Sequence, residues 1–594
     1  MAVSPISPET NLVTFDVLSG GMAIPETYGV LEIRIEKHLN RIAEAEITLR
    51  DGDAAEQTFD VTDSDTFKPG SEIEIKLGYD TTNTSIFKGI VVKQIVKIDE
   101  HSGSRLQVIC KDKCLKLTIN RKNGIFNDVT DSDLISQLAG DGGLATDVTA
   151  TTATHKEVVQ YYSTDWDFIM NRAEINGLVV TTEDGKLVAA KPDLSATPLL
   201  KLSFGYDILE FEGEMDATHQ LSAVKGNSWD MTAQSTINAS AAEPTVNTQG
   251  NITGSTLADV LGAGDQELIS STPILQDDIQ AWADAALLKS RLSQFKGSIT
   301  FQGSDKAKPN TTLELSGVGD RFNGNAFISG VVHTLSEGRW NTEVKLGLSS
   351  EWFVEKHPVV APGASGLIPG IQGLQTGIVK KIYEDPDNEF RVQVEIPILG
   401  ADGDYVWARL ATFYSGGGFG AYFMPELEDE VILGFMNNDP RFPVILGSVF
   451  SSSISPSETP EENNNIKTLL TREKLQLKFD EETKEITLLT PAGNTMVFSD
   501  DGKSITVTDQ SSNQIIMSDS GVTVESKSSL TLKAATDVTI TGANVSISGD
   551  QSVSCSGAQV SISGDATTDI SGGASCGISS DGEMSVKGSI VTVN

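Results

Sequence analysis

Near its C-terminus the chain runs VTITGANVSISGDQSVSCSGAQVSISGD, residues 538–565, and no other stretch restricts the fold as tightly. Glycines fall at 542, 549, 557, 564 and 572, so the spacing alternates between seven and eight and the composite repeat is fifteen residues. In each half-repeat two apolar residues stand two apart: Val538 and Ile540, Val545 and Ile547, Val553 and Cys555, Val560 and Ile562. Strand side chains alternate between faces, so each pair shares a face, and glycine eases the corner that follows. A single-chain solenoid needs about 20 or more residues per turn to enclose its own core. Seven or eight residues supply only one side of a triangle. The stretch therefore predicts three copies intertwined about one axis, with these eight residues as the dry core of the trimer.

Alternation of the strand kind begins at Ile466, which predicts that residues 466–594 form one trimeric β-helix needle, each backbone group pairing with the layer above or below. With layers about 4.8 Å apart it would be very roughly 80 Å long. Cys555, Cys576 and Met584 fall in or near the inward stripe. Three symmetric thiols have metal-ligand chemistry, but filling the core is the favoured reading, and the last histidine is His357. No metal and no cofactor is expected.

A chain of 594 residues holds several domains. Its 44 basic and 82 acidic residues give a formal charge of −38, or 3 × −38 = −114 for a trimer, which disfavours nucleic acid as a partner. Its contacts must then be apolar and backbone-mediated, or made to basic partners. Residues 1–120 contain six alternating stretches separated by turn residues such as Asp51-Gly52 and Pro69-Gly70, which suggests a small barrel. SDLISQLAG reads as a short helix. In STDWDFIMNRAEING, Trp166, Ile169, Met170 and Ala173 form one apolar stripe, Thr164 with Asp167 a cap, and Gly177 a stop. The Ser/Thr/Ala/Asn-rich segment 228–256 reads as a loop, and LQDDIQAWADAALLKSRLSQF as an amphipathic helix.

Strand patterns then return, and Phe327-Ile-Ser-Gly330-Val-Val echoes Phe87-Lys-Gly89-Ile-Val-Val, which suggests two related barrels. The expected organisation is thus a two-barrel hub with helical insertions (1–355), a Pro/Gly linker (356–373), an OB-type barrel (374–450), a second linker (451–465) and the needle (466–594). The fold class is mainly β. Cys110 and Cys114 read as buried strand thiols without further metal ligands nearby.

Several segments resemble one known family end to end. Residues Tyr161–Gly177 are similar to the "SDWDFLxRLAEexG" segment of VgrG and related hub-spike proteins of contractile injection systems: type VI secretion, extracellular injection particles and contractile-phage baseplates. Gly377-Ile-Val, Arg391-Val-Gln-Val, Trp407-Ala-Arg, Phe423-Met-Pro425, Glu430-Val-Ile-Leu-Gly434 and Asn438-Asp-Pro440 resemble the family's spike OB domain. One departure is Glu428, where the family pattern leads one to expect glycine. The resemblance implies a hub that adapts a sixfold tail tube to a threefold, membrane-piercing spike. It implies as partners the inner tube and baseplate proteins, effectors as cargo, and a PAAR-type tip protein docked on Ser589, Ile590, Val591, Thr592, Val593 and Asn594.

No GxSxG, HExxH or P-loop is present, so no enzyme is expected and no catalytic residue is assigned. The alternative is a trimeric phage-like tailspike that binds or cleaves surface glycans; it is disfavoured because the needle has no aromatic residue after Phe498. The start, MAVSPISPETNLVTF, lacks a basic and an apolar leader region, and no 18-residue apolar run exists. Synthesis in the cytoplasm and assembly into a particle are therefore expected, with delivery outside the cell or into a target envelope.

Overall fold

The computed structural model describes residues 2–6, 12–101, 103–400 and 403–593. It consists of two units, Met1–Ser448 and Val449–Asn594, and the chain is mainly β.

All six expected strands of the first 120 residues form, at Val13–Ser19, Val30–His38, Glu44–Arg50, Glu72–Tyr79, Thr82–Asp99 and Gly103–Lys111. They do not close on themselves. Val30–His38 pairs along its free edge with Gly324–Ser336, Gly330 standing opposite His38. Strands from both halves therefore run in one 13-stranded sheet rather than in two separate barrels. Joining the halves removes an unpaired edge from each. The sheet keeps two cores, one around Ile33, Ile47, Phe67 and Ile75, the other around Leu202, Phe301, Leu315 and Val344.

The sequence echo has a positional meaning within this sheet. Phe87–Val92 lies in the middle strand of one antiparallel trio and Phe327–Val332 in the middle strand of another. Their glycines allow close approach. A Cβ on Gly89 would stand 2.4 Å from the Lys111 carbonyl oxygen, and one on Gly330 would stand 2.0 Å from His38 Nδ1.

Four helices sit in the insertions: α1 (Asp131–Asp141), α2 (Asp165–Ile175), α3 (Gly254–Leu261) and α4 (Gln276–Leu292). Thr164 Oγ1 accepts from the Asp167 amide at 3.0 Å and so caps α2, whose stripe of Trp166, Ile169, Met170 and Ala173 is buried. Gly177, at φ +67°, carries the chain out of it. The expected loop 228–256 is partly ordered structure: Val224–Asp230 and Ser235–Ser240 form a hairpin, and α3 begins at Gly254. The hairpin packs under α4 through Val224 against Ala283 and Leu287, too few apolar positions to register as strands in the sequence. Cys110 lies in a strand, whereas Cys114 sits in a 3-10 turn, Lys113–Thr118, capped by Asp112.

Gln375–Lys381, Val392–Glu395, Val406–Leu410, Glu430–Phe435 and Pro443–Ser448 close into a five-stranded barrel around Val379, Val394, Ala408, Leu433 and Ile445. In the second unit, strands begin at 466, 476, 485, 495, 504, 514 and 521 and pair in order as an antiparallel meander. This corrects one expectation. Within 466–525 each strand pairs with its sequence neighbour in the same chain, and no layer waits for a strand from another copy. Tight turns make that possible: Lys474, Lys484, Gly493, Lys503 and Ser512 each supply the single positive-φ residue that closes one of them.

Candidate assembly surfaces

The meander sorts its side chains by parity. On one face, Leu469, Leu477, Leu488, Met496, Val507, Ile515 and Val524 are directly opposite one another from strand to strand. Beside them runs a second column, Lys467, Phe479, Ile486, Phe498, Ile505, Met517 and Val522, in the same pairing. Except for Lys467, that face is wholly apolar. The opposite face is mixed and mostly polar: it carries Lys478, Thr487, Ser499, Thr506, Gln514 and Thr523, and among them Ile466, Leu470, Leu489, Val497 and Ile516. A sheet with one apolar and one polar face buries the apolar one. Here that face stays open: Leu469 is 50 % exposed, Leu488 44 %, Ile515 39 % and Val522 68 %. An open apolar strip of this length on a folded chain marks a surface that meets another.

Beyond Glu525 the chain changes character. Among the described residues 526–593 no strand pairs within the chain, and the eight residues expected to form a core are all exposed, Val545 at 52 % and Ile562 at 73 %. Cys555 and Cys576 are likewise exposed in the single chain. At the expected docking end, Ile590 is 85 % and Val593 89 % exposed, and Asn594 lies outside the described residues. Each keeps its period-two spacing without a partner inside its own chain.

In the barrel, Arg391 and Asp385 lock the loop between the first two strands. Asp385 accepts from the amides of Asp387, Glu389 and Arg391, and from Arg391 Nη2 at 2.6 Å. The hydrogen-bonded guanidinium, helped by those amides, holds the Asp385 carboxyl well below the usual carboxylate range. Glu428, the departure from the family pattern, stands at φ +67°, the conformation that favours glycine.

The WDFIMNRAEI segment turns out to anchor a buried polar network, a role that periodicity alone does not reveal. Asp165, 2 % exposed, accepts from Lys122 Nζ at 2.5 Å and from Gln160 Nε2 at 3.1 Å. Glu174 pairs with Lys289 of α4 and accepts the Phe353 amide at 2.6 Å, which ties α2 both to α4 and to the end of the hub. Arg172 grips Asp131 of α1 through Nε at 2.6 Å and Nη2 at 2.9 Å, and Asn176 Nδ2 adds a bond at 2.7 Å. The sequence signal was available: three charged residues inside a buried helix stripe must find partners.

Among the described residues, Asp131, His155 and Asp278 bring one potential ligand atom each within 4.8 Å of one another. Arg172 Nη2 stands 3.1 Å from His155 Nε2, so a cation already occupies this cluster. Cys110 and Cys114 are buried away from reagents: burial pushes the Cys110 thiol up to about 12 and raises that of Cys114 as well. No helix among the described residues is long and apolar enough to cross a membrane.

Comparisons with known proteins bear on both ends of the first unit. The family model for the Alg8 N-terminal domain matches residues 9–337, more than half of the chain. The model for the type VI secretion system and phage-baseplate injector OB domain matches residues 375–450, the five-stranded barrel on which the hub-spike resemblance rests most densely. A 43 kDa tail protein of prophage MuSo2 from Shewanella oneidensis aligns at 15 % identity and TM-score 0.43, over 57 % of this chain and 99 % of that one. A tail protein from Neisseria meningitidis MC58 aligns at 16 % identity and TM-score 0.42, over 57 % and 98 %. The Francisella PdpA–VgrG complex, in its lidded form, aligns at 10 % identity and TM-score 0.38, over 86 % and 80 %.

Proposed function

We infer the role of this chain from its membership: it belongs to the family of the Alg8 N-terminal domain, and it carries an injector OB barrel. It is the central hub and spike of a contractile injection system, a structural protein without catalytic function, assembled as a homotrimer. The observation that carries this reading is the two-faced meander of residues 466–525. Three copies laid edge to edge, apolar faces inward, make a closed prism and cover the open strip of each. Burying an apolar side chain fully is worth about 1.5–3 kcal/mol, and each copy offers thirteen partly exposed ones (two columns of seven, less Lys467).

Past residue 525 the three chains wind about one another, with Val538, Ile540, Val545, Ile547, Val553, Cys555, Val560 and Ile562 turned inward. Ser589–Asn594 then present a blunt strand end to a PAAR-type tip. The hub faces the tube and baseplate, and contraction drives the rigid needle through an envelope, with effectors carried along.

Light scattering on the purified chain tests the stoichiometry, and a monomer would end the proposal. Deletion of residues 466–594 tests the needle: injection by a particle carrying the truncated chain would remove its piercing role.

A further inference from the structure

Both halves of the hub and the insertion that carries α2 meet around one cavity of about 90 Å³. Lys37 comes from the strand Val30–His38, where it stands opposite Val331 across the seam, and Ser85 comes from Thr82–Asp99. Thr181 lies on Val179–Glu183, just beyond α2, and Lys308 in the turn ahead of Thr311–Ser316. A single water needs only about 10–15 Å³ of such space, so the cavity has room for a small molecule.

Its polar lining is unfinished. Among the described residues the side chains of Lys37, Ser85 and Thr181 have no hydrogen-bond partner, and Lys37 has no ion pair. Nearby carboxylates are engaged elsewhere: Asp112 accepts the Cys114 and Gly185 amides at 2.8 and 2.9 Å, and Glu183 meets Lys308 at 3.5 Å. Asp305 lines the cavity without pairing with Lys37. Burial, the leading cause, holds the Lys37 amine below its ordinary range, while Glu183 and Asp184 oppose that shift without touching it. Burial, helped by the Lys37 charge, brings the lining residue His333 down to about 3, so its ring is neutral and offers Lys37 no counter-charge. A buried amine without a direct counter-charge is costly.

An ammonium group only donates, so Lys37 and Lys308 together turn away a metal ion and suit a ligand that accepts and carries negative charge. We propose that this cavity binds one small oxyanion, phosphate or a short carboxylate, with Lys37 as its counter-charge and the Ser85 and Thr181 hydroxyls as further donors. Every lining residue belongs to one chain, so the site is independent of the number of copies in the assembly. The bound anion ties the two halves of the hub to the α2 insertion and supplies the charge that Lys37 lacks.

Equilibrium dialysis of the full-length protein against labelled phosphate, and separately against labelled acetate, tests this at constant ionic strength. At least one of the two should bind saturably at one per chain, and the pair of arms tells a phosphate site from a carboxylate site. Lys37→Met keeps the stem and removes the charge, and should weaken binding about tenfold or more. Thr181→Val, which keeps the shape and removes the hydroxyl, should weaken it several-fold in a chain that still folds. Lys156→Met, at an exposed lysine far out on Thr154–Thr164, should leave it unchanged. Absence of saturable binding of both anions to the native chain would overturn the site. So would equal binding by the native chain and Lys37→Met, or an equal loss in Lys156→Met, since either result would reduce the effect to general attraction by surface charge.

Discussion

Glu428 occupies a glycine conformation and repays it in part by reaching Lys380, whose Nζ lies 2.9 Å from Oε2, with Glu395 bound to the same amine at 3.1 Å. A side chain held at positive φ costs on the order of 1–2 kcal/mol. The exposed ion pair is weak and screened by salt. Glu428→Gly should therefore raise the barrel's melting temperature or leave it unchanged, most clearly at high salt. Glu428→Ala keeps the strain and loses the pair, so it should melt lower than the native chain. Thermal unfolding of both variants at two salt concentrations gives the answer, and a Gly variant that melts below the Ala variant would contradict it.

Acid should loosen the same barrel through Asp385. Its folded-state value lies below the ordinary 3.8, so the stability it contributes is present above that value and is lost as pH falls towards the folded one. Asp385→Asn should melt lower at neutral pH and show a flatter decline on acidification. Parallel acid slopes in the two proteins would show that the Arg391 lock carries none of it.

The two faces of the meander should respond oppositely to charge. Ile486→Asp places a carboxylate on the apolar face and should abolish the trimer in light scattering. Thr487→Asp, one residue along and on the polar face, should leave it assembled. The thiols supply a second readout. Cys555 and Cys576 should resist maleimide in the native assembly and react in Ile486→Asp, while Cys110 and Cys114 stay unreactive in both.

Within the hub, Glu174→Ala takes from Lys289, which is only 7 % exposed, its one carboxylate partner among the described residues, leaving it the Glu351 carbonyl and the Trp352 ring, and frees the Phe353 amide. Breaking a buried pair from one side costs roughly 3–5 kcal/mol. Chemical denaturation of the hub should register that loss, and Glu174→Gln should recover part of it by keeping an acceptor for the amide.

Much of this architecture was legible because it rests on short-range pattern. The α2 stripe, its Thr164 cap and Gly177 are local, and so are the alternating strands of the first 120 residues. The seam between Val30–His38 and Gly324–Ser336 was not legible, since about 300 residues separate its partners and each strand reads the same whether its neighbour is near or far. The meander was misjudged for a related reason. Period-two alternation is common to a strand paired with its own chain and one paired with another, and spacing separates them only in part: strand starts stand nine to ten residues apart in 466–514, but the last in-chain hairpin, from Gln514 to Gly521, already has the seven-residue spacing found after 538. The charged network of Asp165, Arg172 and Glu174 lay inside a recognised motif, yet its partners Asp131, Lys289 and Lys122 come from three distant segments.

The end of in-chain strand pairing at Glu525 divides labour along the proposed needle. A wall that satisfies its own backbone can be finished by one ribosome's product alone, whereas the described residues 526–593 pair with nothing in their own chain and, in the proposed trimer, would wait for other copies. The distal portion would then act as a census of its own subunits: a lone chain carries complete walls and no point, so a functional tip could exist only on a particle whose count of copies is right.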